Sequence, residues 1–212
     1  MSSYSLKAFD LSKNFGRRLI FKNLNFEIEN CGILGISGAN GSGKSTLVKI
    51  IGGINSPSGG KIIHSNNGQE ITYEKLHNYI GFVSPYLVLY EEFSAWENLD
   101  YFAKIRDVRF NKDKIEYLLN KFLLFDRKDD LVKTYSSGMK QRLKFIFALM
   151  HGPQLIILDE PTSNLDSAGK DSVYQIIEEE SKSNIVILAS NEENDLRLCT
   201  KELKLENYKN NK

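Results

Sequence analysis

The chain has 212 residues, 41% hydrophobic and 26% charged, a length and balance suited to one folded domain with its own core. Its 28 Lys and Arg face 27 Asp and Glu, a net charge of +1, which argues against a protein that holds nucleic acid by neutralising phosphates or one drawn by charge to anionic lipid. Cys31 and Cys199 are far apart and form no C-x-x-C pair, so they offer neither a zinc site nor a redox motif and read as reduced thiols in a reducing compartment.

The first residues contain no apolar run of signal-peptide length. The longest apolar runs, 145–150 and 185–189, are too short to span a bilayer. A soluble, cytoplasmic chain is expected, and any work at a membrane needs a partner. Strands are predicted over 4–11 and 24–29, on either side of a turn at 14–17. A short apolar strand over 31–36 runs into a glycine-rich segment. A helix over 46–51 stops at Gly52-Gly53, a turn follows at 57–60, and a strand at 61–64.

The middle of the chain changes character. Ser94 and Glu97 have the spacing of a capping box, with Leu99, Phe102 and Ile105 recurring at helical intervals. Asn111 can cap a second helix, with Ile115, Leu118, Leu119 and Phe122 on one face. Residues 85–131 therefore read as a mainly helical lobe. Tyr86, Tyr90, Phe93 and Trp96 stand at its entrance and are expected mostly as core. Beyond it come a helix over 137–150, a strand over 155–158, a helix over 168–182, a strand over 185–189 and a short helix over 192–198. The polar tail, 207–212, is expected to fray. Strands that are continuous apolar runs alternating with helices indicate an α/β fold, with a mainly parallel sheet covered on both faces. One domain over 1–212 is expected, with 1–84 and 132–212 as its body.

Gly38-Ala39-Asn40-Gly41-Ser42-Gly43-Lys44-Ser45 fits G-x-x-x-x-G-K-[ST] between a predicted strand and a predicted helix. Glycines let successive N–H groups turn inward on an anion, and the helix start adds its positive dipole end. Lys44 should reach β- and γ-phosphates, Ser45 should ligate Mg²⁺, and the contact set runs on to Thr46. A second site follows the apolar strand Leu155-Ile156-Ile157-Leu158, which ends in Asp159-Glu160. Asp159 stands at a strand's carboxyl end, where ligands of open α/β sheets collect, and can hold Mg²⁺. Glu160 points elsewhere and can orient or deprotonate an attacking water.

With these segments in place, the chain resembles the nucleotide-binding domain of ABC transporters, a P-loop NTPase fold, along nearly its whole length. Residues 135–142, Tyr-Ser-Ser-Gly-Met-Lys-Gln-Arg, are similar to the family signature L-S-G-G-Q-Q-R. Ser136 and Gly138 are kept, while Tyr135, Ser137 and Met139 replace the usual Leu, Gly and Gln. The resemblance implies that Ser136, Ser137 and Gly138 contact ATP bound to an opposite subunit; read alone, Ser136 is a helix N-cap. Ser163-Asn164-Leu165-Asp166 resembles the S-A-L-D loop, and read alone is a turn with Asp166 as a cap. Phe15 falls where the family stacks an aromatic on adenine.

Two departures bear on hydrolysis. Pro85 stands where the family has glutamine, and proline has no side-chain oxygen. Asn191 stands where it has a switch histidine; asparagine can donate a hydrogen bond to the nucleotide but carries no charge. The resemblance implies an ATPase subunit with ATP and Mg²⁺ as ligands. It also implies a head-to-tail pairing with a second nucleotide-binding domain, as homodimer or heterodimer. A separate membrane-spanning permease would place a short helix against the helical lobe, at the inner face of the cell membrane. Compact length is shared with small exporter cassettes, including the haem-exporter type of cytochrome c biogenesis. The alternative is a soluble regulatory ABC ATPase with weak hydrolysis, motivated by Pro85 and Asn191.

Overall fold

Tyr4, Leu6 and Ala8 alternate with more exposed residues, and this period starts an antiparallel hairpin of β1 (Tyr4–Phe15) and β2 (Arg18–Glu29) that turns at Gly16. The protein, here a computed structural model, is described over residues 3–209. After the hairpin come β3 (Gly32–Ser37), α1 (Lys44–Ile51), β4 (Gly59–Asn66), β5 (Gln69–Glu70), α2 (Tyr73–Leu76) and β6 (Ile80–Val83). The helical lobe holds α3 (Ala95–Ile105) and α4 (Lys112–Lys121). Then follow α5 (Ser137–Leu149), β7 (Leu155–Asp159), α6 (Ser167–Glu180), β8 (Ile185–Ala189), α7 (Glu193–Leu196), β9 (Lys201–Lys204) and a 3-10 turn at Leu205–Tyr208.

Four strands form an antiparallel sheet in the order β2-β1-β4-β5, and five form a parallel sheet in the order β6-β7-β8-β3-β9. The expected α/β architecture is thus present. Its logic is visible in β7 and β8, whose residues are all buried. Ile156, Leu158, Val186 and Leu188 join the core shared with the helical lobe, α5 and α6. Leu155, Ile157, Ile185 and Ile187 point the other way, into the core with α1 and the antiparallel sheet. A period of two along one strand therefore divides its side chains between two layers.

The helix starts follow local chemistry. Ser94 Oγ accepts from the Glu97 amide at 3.1 Å and Glu97 Oε2 accepts from the Ser94 amide at 2.7 Å, completing the capping box of α3. Asn111 Oδ1 accepts from the Lys114 amide at 3.1 Å at the head of α4. The hairpin is longer than expected, with β2 starting at Arg18 rather than 24. Asn207 and Tyr208, expected to fray, belong to the 3-10 turn anchored by buried Leu205, and Lys209 follows it; residues 210–212 of that tail lie outside the described residues. Tyr86 and Tyr90 are 72% and 60% exposed, not core. The lobe's interior is already filled by Leu99, Leu118, Phe122 and Val132.

A buried polar pair sets an acid limit on stability. Tyr4 Oη lies 2.8 Å from His64 Nδ1, with both residues buried. Burial pushes the imidazole down to about 4. Its folded value lies below its unfolded one, so the contribution is complete above about pH 6.5 and is lost as pH falls towards 4. Urea unfolding at pH 7 and pH 5 should differ by about 2 kcal/mol from His64 alone. That difference should shrink in His64→Phe.

Candidate functional site

Parallel pairing brings Ile36, Asp159 and Ala189 level with one another, so β3, β7 and β8 deliver their following residues to one edge. The loop after β3 curls through Gly38, Gly41 and Gly43 at φ 150, 74 and 112. A Cβ on Gly43 would stand 2.4 Å from Ile20 Cγ2, so position and backbone both require glycine. Gly43 also caps α1 without a side-chain bond, and the helix's first turn carries no acid. The amides at this helix start are therefore open to an anion. Ser42 Oγ is buried beside them without a partner.

Lys44 is 5% exposed. Its Nζ donates to Gly38 O at 2.8 Å and lies 3.3 Å from Glu160 Oε1. Ser45 Oγ donates to Asp159 Oδ1 at 3.0 Å, while the buried Asp159 Oδ2 has no partner. Burial raises both the Asp159 and Glu160 carboxyls above the usual range. The Ser45 hydrogen bond, then Lys49 and Lys44, oppose this at Asp159, and Lys44 opposes it at Glu160. Glu160 has φ +49, and its amide is held by Ala189 O at 2.9 Å. A non-glycine residue in this region costs roughly 1–3 kcal/mol and persists only where its surroundings fix it.

The orphaned Asp159 oxygen beside the Ser45 hydroxyl is the donor set of a hard cation. Among the described residues no group of three or more His, Cys, Asp and Glu could hold a metal. One carboxylate and one hydroxyl suit an ion such as Mg²⁺, which takes most of its ligands from phosphate and water.

Residues 40–46 and Glu160 line a cleft of 470 Å³ together with Phe15, Pro85 and Tyr86. Phe15 is 52% exposed, with Lys13 Nζ 4.9 Å from its ring centroid, so its ring is available to a flat ligand. Asn191 Nδ2 donates to Asn40 Oδ1 at 3.2 Å, which places it against the loop. The Ala39 amide is taken by Glu206 Oε1 at 2.8 Å.

Ser136, Ser137 and Gly138 do not line this cleft. Ser136 Oγ accepts from the Met139 amide at 3.2 Å as N-cap of α5, and Ser137 is that helix's first residue. Gly138 packs on the next loop, where a Cβ would stand 3.2 Å from Asn164 O. Asp166 caps α6 through the Gly169 amide at 2.9 Å.

A positioning group escaped the sequence reading. Asp195 is fully buried and accepts from Thr162 Oγ1 at 3.0 Å, Tyr174 Oη at 2.8 Å and Ser190 Oγ at 2.7 Å. Thr162 follows Glu160 by two residues and Ser190 precedes Asn191, so one carboxylate fixes both loops relative to each other. Scattered hydroxyls have no motif spacing, and only the fold brings them together.

A second, mainly apolar groove of 410 Å³ lies beneath the helical lobe, walled by Ile54, Phe82, Leu87, Phe102 and Phe147, with Lys49, His77 and Arg106 also lining it. Arg106 Nη2 donates to His77 O and lies 3.3 Å from His151 Nε2, and its Nε has no partner.

Residues 21–163 match the family model described as ABC transporter. The chain is 34% identical over 174 residues to YdbJ of Bacillus subtilis, an uncharacterized ABC transporter ATP-binding protein, across 80% of this chain and 56% of that one. It is 36% identical over 185 residues to the lantibiotic transport ATP-binding protein SrtF of Streptococcus pyogenes, across 87% of this chain and 79% of that one. A solved structure from Pyrococcus furiosus, described as an ABC transporter ATP-binding protein, superposes with a TM-score of 0.84 at 27% identity, across 97% of this chain and all of that one. The chain thus spans little more than half the length of YdbJ but most of SrtF.

Proposed function

The chain belongs to the ABC transporter family of ATP-binding proteins, and from that premise we propose that its cleft binds Mg·ATP and hydrolyses it to drive a separate membrane permease. One observation carries this reading. Lys44 and Ser45 open an uncapped helix directly beside Glu160 and an unpartnered oxygen of Asp159.

In this reading the amides of Gly41 and of Gly43 to Thr46 hold the phosphates, and Lys44 moves from Gly38 O and Glu160 to the β- and γ-phosphates. Ser45 and Asp159 hold the Mg²⁺, which offsets phosphate charge. Glu160, released from Lys44, orients the attacking water and accepts its proton. Phe15 stacks on adenine, and Asn191 donates to the γ-phosphate. Ser136, Ser137 and Gly138 lie outside the cleft, so a second nucleotide-binding domain supplies them across a head-to-tail dimer. ATP favours closure because it touches both halves only when they meet.

Among the described residues no helix is long and apolar enough to cross a membrane, and the reading assigns that task to the permease. The groove beneath the helical lobe is its seat in this chain. Cargo choice then belongs to the permease. The finer proposal of a haem-exporter type is tested by isolating the permease and asking whether haem stimulates turnover.

Titration calorimetry with Mg²⁺ and ATP should show uptake with a Kd below about 1 mM, the upper end of common enzyme KM values. No heat at millimolar ATP ends the proposal. The regulatory reading is favoured by Pro85, which offers the cleft no side-chain oxygen, and by Asn191, an uncharged group tied to Asn40. It gains if the chain, assayed with its membrane partner, turns over ATP no faster than Glu160→Gln.

A further inference from the structure

One peptide plane is gripped from both ends. The parallel register that sets Ser37 opposite Lys204 carries on past the strand ends, so Ala39 stands level with Glu206. Glu206 Oε1 accepts from the Ala39 amide at 2.8 Å, and Gly38 O of the same peptide accepts from Lys44 Nζ at 2.8 Å. A trans peptide is planar, with its N–H and C=O pointing opposite ways, so whatever fixes one end aims the other. Gly38, at φ 150, has no Cβ to limit how this plane swings. Its neighbours are tied down separately. Ser37 Oγ donates to Glu202 Oε1 at 2.5 Å, and the Ser42 amide donates to Ala39 O at 2.9 Å. The Glu206 side chain is exposed, and the Ala39 amide holds its carboxyl below the usual range, so it is ionised at neutral pH. By charge alone, an acid at the margin of a site for a polyanion opposes binding. Electrostatics therefore does not account for a carboxylate here.

We propose that Glu206 is a positioning residue for nucleotide binding, fixing the 38–39 peptide so that Gly38 O aims Lys44 along the phosphate loop. The inference rests on the reading of the cleft as the ATP site. Lys44 carries a flexible four-carbon stem, and holding its head on a fixed carbonyl removes in advance part of the rotamer freedom that binding phosphate would otherwise have to remove. The carbonyl is a neutral holder, so the ammonium can pass from it to phosphate. The hydrogen bond from the Ala39 amide performs this and the charge of Glu206 does not, so an uncharged acceptor of the same length suffices. The sign of the effect separates the two. Deleting an acid near phosphate should tighten binding through charge, whereas releasing the peptide should weaken it.

The test is calorimetry of Mg·ATP on the full chain, with amide NMR of Ala39 beside it. Glu206→Ala should weaken binding about tenfold, the worth of one net hydrogen bond at its upper end, and move the Ala39 amide proton upfield. Glu206→Gln keeps an acceptor without the charge, so it should bind at least as tightly as wild type and leave that signal downfield. Melting temperatures of both variants should match wild type, because the side chain is exposed. Four results each overturn the inference while leaving the ATP site standing: affinity unchanged or raised in Glu206→Ala, an Ala39 signal unmoved in that variant, a loss that glutamine does not reverse, or a loss matched by a fall in melting temperature. No uptake by wild type at millimolar ATP overturns the ATP site and this inference together.

Discussion

Glu160→Gln should lower ATP turnover by about 10²- to 10⁴-fold, the span of general-base contributions, while Mg·ATP binding stays within about threefold of wild type or tightens. The substitution is nearly isosteric, and the amide oxygen can still accept from Lys44, 3.3 Å away from the present carboxylate. It removes the carboxylate assigned to take a proton from water, together with a negative charge close to bound phosphates. Burial raises the Glu160 carboxyl above the usual range. The base works only when ionised, so wild-type turnover should fall as pH drops through that raised value, and the residual rate of the variant should lack this limb. Phosphate release measured across pH, with calorimetry beside it, reads all of these effects. Turnover preserved in Glu160→Gln would mean that another group acts on the water.

Lys44→Ala should weaken Mg·ATP binding by on the order of 10²- to 10⁴-fold, from two lost charge-assisted bonds of about 1.5–3 kcal/mol each. Lys44 is the cation in contact with Glu160 and also one of those acting on Asp159. Removing it leaves two half- to fully buried carboxylates facing a polyanion with less compensation. Lys44→Arg should not restore affinity: a planar fork does not fit the small space between Gly38 O and Glu160 that now holds an ammonium. Weak binding through Phe15 and the remaining amides should persist at millimolar nucleotide. Affinity unchanged in Lys44→Ala would remove the central cation from the proposed site.

Sequence reading succeeded where one local cause suffices. Leu155–Asp159 and Ile185–Ala189 are runs of apolar residues that only a covered sheet explains, and the glycine pattern at 38–43 has a backbone requirement that the φ values display. Ser94 with Glu97 and Asn111 capped helices as their spacing indicated. It failed where the cause is long-range. Lys201–Lys204 has a single buried residue, Leu203, and becomes β9 through backbone pairing with β3. Ile80–Val83 carries Gly81 pressed on Ala148 O and becomes β6 beside β7. Asp195 draws its partners from residues 21 and 33 positions away, as well as from Ser190 nearby. Of the entrance aromatics Tyr86, Tyr90, Phe93 and Trp96, read as mostly core, Tyr86 and Tyr90 are exposed, because the lobe's interior is already filled.

The carboxylate of Glu206 on the Ala39 amide spans 167 positions of chain, and Ser37 Oγ similarly donates to Glu202 at 2.5 Å. Between them β9 shields the outer margin of β3. The loop after β3 is thus fastened by residues made long after it. On the ribosome, β3 must wait as a bare margin, open to mispairing, until its final neighbour emerges. The proposed phosphate loop is therefore completed only after β9 has been made.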